Sequence, residues 1–270
     1  MIKLLKAGLF RLKKEILFWL FILFTIGFAA YELTKCSLSE SVNLNNAINK
    51  FIMYIGLFIA IFVSIFVGKE YSQGIIRNKI IVGHSRLSIF LSNLIISIAV
   101  SILCEVIYFI IIISFGRNLF EKIQISLSQF LVIMLDTILV IISFCSIFNF
   151  VTVICSEITA STTICMVLFI VMFIAQATLG LTAFSTKYLT NTIIDENGNQ
   201  VVTQELDPNY PGEKKVKQAR IFYLLIPQGQ AMEIGNNDFE LLSKMPIYSF
   251  ISISVVNFLG IYIFSKKDLK

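Results

Sequence analysis

Apolar residues crowd this chain into six long runs separated by short polar interruptions, at residues 16–33, 51–68, 87–115, 127–155, 160–184 and 247–265. The first, between the Lys13-Lys14 pair and Thr34, approaches the ~20 residues that a bilayer core requires of a helix. The third and fourth are longer than a bilayer requires, which predicts tilt or protrusion. Residues 156–159 (SEIT) are a tight polar turn, too short for a folded domain between the fourth and fifth runs. Ahead of the first run, residues 1–15 are amphipathic: Ile2, Leu5, Leu9 and Leu12 share a face at 100° per residue, while Lys3, Lys6, Arg11, Lys13 and Lys14 fall mostly elsewhere. That pattern predicts an interfacial helix. The front of a signal peptide cleaved near Ala29-Ala30 would not carry so long a patterned stretch.

The one sizeable polar segment is 185–246. TIIDENGNQVVT at 192–203 places two β-branched runs around Asn197-Gly198, a hairpin signal. Residues 204–220 read as loop, broken by Pro208 and Pro211. The apolar run IFYLLI at 221–226 precedes Pro227-Gln228-Gly229-Gln230, followed by a short helix through Glu240 and Leu242. Two readings of 221–245 stand open, a segment that lies against the outer membrane face or caps the exit path, or a lid packed on the hairpin.

Composition agrees with the pattern. Of the 270 residues 57% are hydrophobic and 14% charged, where a soluble domain carries about 25% charged residues. The predicted fold class is all-α polytopic: six transmembrane helices, an N-terminal interfacial helix, a small extracellular segment (185–246) between helices five and six, and a tail at 266–270. The net charge of +5 does not indicate nucleic acid, because basic residues flank apolar runs instead of lining one face. Twelve Lys and Arg fall at the N-terminus, in the loop after the second run and at the C-terminus; the short loops of the other side hold Lys35, Lys50, Arg117 and Lys122. The asymmetry puts both termini in the cytoplasm of a multi-pass plasma-membrane protein. Five cysteines, with only Cys36 expected in an outer loop, imply no disulfide framework.

Several chemistries are excluded. No GxxxxGK[ST] phosphate loop occurs, so the chain is not expected to hydrolyse ATP itself. HExxH and CxxC are absent and His84 is the sole histidine, which leaves a zinc peptidase or a Ser-His-Asp hydrolase without its parts. No cofactor or metal is expected on this chain.

Residues 68–86, GKEYSQGIIRNKIIVGHSR, form the longest polar interruption in the first half, with Lys69, Arg77, Lys79 and Arg86 against the single acid Glu70. Glu70-Tyr71, Gly74, IIRNK at 75–79 and Gly83-His84-Ser85-Arg86 resemble the loop after the second span of bacterial type-2 ABC transporter permeases. Ile75 departs from that pattern, where Thr is common. The resemblance extends to the order of the spans and to the PQGQ segment. It implies that 69–86 is a coupling loop docking on a separate ATP-binding subunit through Glu70, Gly74, Arg77, Lys79, His84 and Arg86.

ATP and Mg would then be bound by that partner, two copies of it being expected, together with a second permease subunit, identical or homologous. Family members export antibiotics, antimicrobial peptides and other amphipathic molecules, so export or self-protection is the function the resemblance suggests.

Inside the spans, Thr25, Glu105, Asp136, Gln176 and Asn257 fall at similar depths when counted from the outer ends of their runs. At about 1.5 Å per residue they share a level some 12–15 Å down. They are a candidate polar layer of a transport pathway; hydrogen bonding between helices is the alternative. An intramembrane enzyme built on Glu105 and Asp136 would need a nucleophile, metal or substrate signature that the sequence lacks. A passive channel would not explain the coupling loop or the outer segment.

Overall fold

The computed structural model describes residues 1–38, 47–116, 126–194, 200–236 and 239–267. Its elements, in chain order, are α1 (Ile2–Lys14), α2 (Ile16–Leu38), α3 (Ile52–Ser72), α4 (Ile75–Ile81), α5 (Arg86–Gly116), α6 (Leu127–Cys155) and α7 (Ile158–Ala183). There follow β1 (Tyr188–Ile194), β2 (Gln200–Leu206), α8 (Glu213–Leu225), α9 (Pro227–Asn236), α10 (Phe239–Leu242) and α11 (Met245–Lys266). Among the described residues six helices, α2, α3, α5, α6, α7 and α11, are long and apolar enough to cross a membrane. The protein is a helical, multi-pass membrane protein. Its surface agrees: Leu23, Leu181, Phe250 and Phe258 are among many large apolar side chains facing outward, as lipid-facing positions do, while Ser64, Ser97, Ser101 and Ser146 are buried within the bundle.

α3 is the central helix. It buries residues along its whole length, from Ile52 to Glu70, and packs on α6 and α7 as well as on α2 and α5. Gly56 lets rings approach: a methyl there would stand 2.8 Å from both Phe144 and Phe169. At one end of the bundle lie α1, α4, the start of α5 and the ends of α6 and α11, so residues 1 and 267 belong to the same end. The hairpin, α8, α9 and α10 occupy the other.

Several elements differ from the sequence reading. Helix α1 buries Leu4, Gly8 and Leu12, whereas Ile2 and Leu9 face outward. The cause is Gly8, whose missing side chain admits Ile96 of α5. Cys36 is not in a loop: α2 continues to Leu38 and buries it. The hairpin is longer than 192–203, with Tyr188 opposite Leu206 and Ile194 opposite Gln200. Much of 204–220 is not loop, since Glu213–Leu225 is a helix burying Val216, Ala219, Tyr223 and Leu224. Pro208 and Pro211 precede that helix and do not interrupt it. Parts of the predicted outer loops, including Arg117 and Lys122, the Asn197-Gly198 turn and tail residues 268–270 lie outside the described residues.

Candidate functional site

The end of the bundle that carries α4 is organised around one buried carboxylate. Glu70, in the last turn of α3, is 1% exposed. Arg11 of α1 donates from Nη1 to Glu70 Oε1 at 2.6 Å, Lys79 of α4 bonds the same oxygen, and Asn93 of α5 donates from Nδ2 to Oε2 at 2.7 Å. Four helices are thereby joined through one side chain. The second Arg11 arm, Nη2, donates to the Phe66 carbonyl at 3.1 Å, and the guanidinium lies over the Phe66 ring at 3.9 Å. A third ion pair, Lys69 to Glu15, fastens the α1–α2 junction to α3. An anion so far from water is favourable only when paired and hydrogen-bonded, and here both oxygens are engaged.

Arg86 makes a second clasp. Its Nη1 donates to the carbonyls of Phe264, at 2.8 Å, and of Ser265 and Lys267, holding the end of α11 against the start of α5. Lys267 in turn donates to the Val153 and Ile154 carbonyls in the last turn of α6. Burial pushes its ammonium below the ordinary lysine range, while these C-terminal carbonyls are the natural partners of a cation.

Between the clasps, α4 projects. Gly74 starts it with φ 68°, the left-handed region, and a methyl there would meet nothing within 4 Å. Its role is the backbone turn, which a β-branched residue would strain. At the other end Gly83 has φ 95°, with its N–H bonded to Ile80 O and that of His84 bonded to Lys79 O. This is the Schellman closure, and it terminates the helix sharply. Ser85 then caps α5 by accepting from the Ser88 N–H at 3.2 Å.

The six residues singled out in this loop therefore divide. Glu70, Lys79 and Arg86 make their bonds within the chain, Gly74 shapes the backbone, His84 is half-buried, and Arg77 is exposed. Sequence reasoning passed over Ile81 and Val82, which are 73% and 76% exposed at the tip of α4. Their signal was an apolar pair directly before a glycine in an otherwise basic loop. It also passed over Arg11 and Asn93, which no local pattern connects to Glu70.

The five residues of the candidate polar layer are not joined to one another by hydrogen bonds. Thr25 is buried and donates to Phe21 O in its own helix. Asn257 donates to Ser146 Oγ of α6 at 2.8 Å, an inter-helix bond of the kind the alternative reading expects. Gln176 is buried on α7. Both carboxyl oxygens of Asp136 and Oε2 of Glu105 are buried without a partner.

At the opposite end, the PQGQ segment opens α9, which is buried almost throughout. Gln228 Nε2 donates to Met53 O of α3 at 3.0 Å, Gln230 accepts from Ser249 of α11, and Tyr223 donates to Glu233 at 2.7 Å. Of the 221–226 run, Tyr223 and Leu224 pack inward and Ile221 and Phe222 face outward. No protein-family model matches the chain, and no curated protein matches it.

Proposed function

We propose that this chain is the membrane-spanning subunit of an ABC exporter, working with a separate ATP-binding subunit that docks on α4 and moves an amphipathic substrate such as an antimicrobial peptide or antibiotic. The observation that carries this reading is the form of the loop after α3. A short helix with an exposed apolar tip, Ile81-Val82, and an exposed cation, Arg77, stands out from the bundle while its base is fixed to α1, α3 and α5 through Glu70. An exposed tip on a braced base suits transmission of force from a docked partner, and among the described residues nothing in this chain covers Ile81 or Val82. In this reading α4 faces the cytoplasm, both termini lie there, and the hairpin end is extracellular. ATP and Mg belong to the partner, and a second permease subunit completes the pathway.

The test is co-purification of the ATP-binding subunit with this chain from its native membrane, together with export measured in cells. Arg77→Glu combined with Val82→Asp should leave the membrane protein monodisperse and reduce both partner recovery and export by roughly tenfold, as loss of interface anchors does. Unchanged recovery and export in that variant would contradict the docking role.

A further inference from the structure

The hairpin end carries a cavity of about 450 Å³ between α8 and the ends of two spans. Its position is fixed by three contacts with the membrane helices. Ser185 lies just beyond α7, Tyr248 is in the first turn of α11, and Arg220 Nε donates to Ala183 O, the last residue of α7, at 2.8 Å. The mouth is therefore level with the ends of two spans, where lipid headgroups lie.

The lining is two-sided in chemistry. Val216, Leu224 and Leu241 are buried apolar residues. Lys217, Arg220 and Lys244 bring three cations to the same cavity, against the single acid Glu213, whose side chain is 84% exposed and 4.0 Å from Lys187 outside it. Among the described residues, neither the Lys217 nor the Lys244 ammonium has an ion-pair or hydrogen-bond partner. Two exposed ammonium groups and a half-buried guanidinium around an apolar floor, at headgroup level, lack only an anion.

We propose that this cavity binds the phosphate of an anionic membrane phospholipid, with Lys217, Arg220 and Lys244 around the phosphate and the glycerol and first methylenes against Val216, Leu224 and Leu241. Charge-assisted hydrogen bonds from lysine and arginine to phosphate are strong, and basic pockets at the membrane surface select anionic headgroups. The bound lipid would tie α8 to the span ends, adding to the Arg220–Ala183 bond. The site is independent of the coupling proposed at the opposite end.

The test uses the full-length chain, purified in mild detergent and examined by native mass spectrometry with phosphatidylglycerol, phosphatidylcholine or inorganic phosphate added. The wild type should retain one phosphatidylglycerol per chain in preference to phosphatidylcholine. Lys217→Glu with Lys244→Glu should weaken that retention by roughly tenfold or more, and Lys217→Gln with Lys244→Gln, which removes charge without reversing it, should weaken it in the same direction if the first variant folds poorly. Arg220 is left unaltered because it also supports α7. Displacement of the lipid by millimolar inorganic phosphate would uphold the phosphate site but assign it to a soluble phosphate-bearing ligand; persistence of the lipid would assign it to the membrane. Equal phosphatidylglycerol retention by the wild type and the glutamine variant, or no retention by the wild type of either lipid or phosphate, would overturn the proposal.

Discussion

Glu70 shows at the scale of one residue how a charge in a greasy chain is made tolerable. Its carboxylate is buried, and Arg11, Lys79 and Asn93 reach it from three different helices. Removing one member of such a set leaves the others buried and unmatched, which costs about 3–5 kcal/mol. Glu70→Ala should therefore lower the thermal unfolding midpoint in detergent markedly, whereas Glu70→Gln, which keeps a partner for Asn93, should lower it less. Arg11→Leu combined with Glu70→Leu and Lys79→Leu removes the charges together and should recover much of the loss. A midpoint for Glu70→Ala equal to that of the wild type would show that the cluster contributes nothing. The sequence displayed this acid plainly, as the only one among four cations, but not its partners. Arg11 is 59 residues away, and its place beside Glu70 depends on α1 packing against α5 at Gly8.

At the scale of elements, legibility followed the length of the pattern. The six spans were readable because their signal is sustained over whole helices; α6 has the predicted bounds, 127–155, and the others shift by a few residues at their ends. Helix α8 was missed because its inward residues Val216, Ala219, Tyr223 and Leu224 are spread among Lys, Gln and Arg, and two nearby prolines drew attention to breakage. The junction between α8 and α9 depends on Gly229, where a methyl group would run into the Tyr223 carbonyl. Backbone cannot yield as a flexible side chain does. Gly229→Ala should thus destabilise by about 1–3 kcal/mol, while Gly27→Ala, whose methyl meets nothing within 4 Å, should be neutral or slightly stabilising. Comparing the two by thermal unfolding in one detergent checks the claim; equal midpoints would contradict it.

For the whole molecule, the two ends of the bundle have different characters. One is clasped by charge, through Glu70, Arg86 and Lys267, and presents a short exposed helix; the other is closed by α9 and the hairpin. The depth count that lined up five polar side chains was sensitive to where each helix ends: α2 runs five residues past the predicted boundary at residue 33, while α7 stops at Ala183. Asp136, with both oxygens buried and unpartnered, and Glu105, with Oε2 in the same state, are the members whose environment a hydrogen-bonding role within this chain leaves unexplained. What touches α4 decides whether this chain is coupled to an ATP-binding subunit. A photo-reactive amino acid placed at Val82, in cells carrying the native locus, should yield one dominant crosslink to a protein bearing an ATP phosphate-binding loop, and the same group at the outward-facing Phe258 should not. Crosslinking of that subunit at neither Val82 nor Arg77, or equally at Val82 and Phe258, would contradict the account.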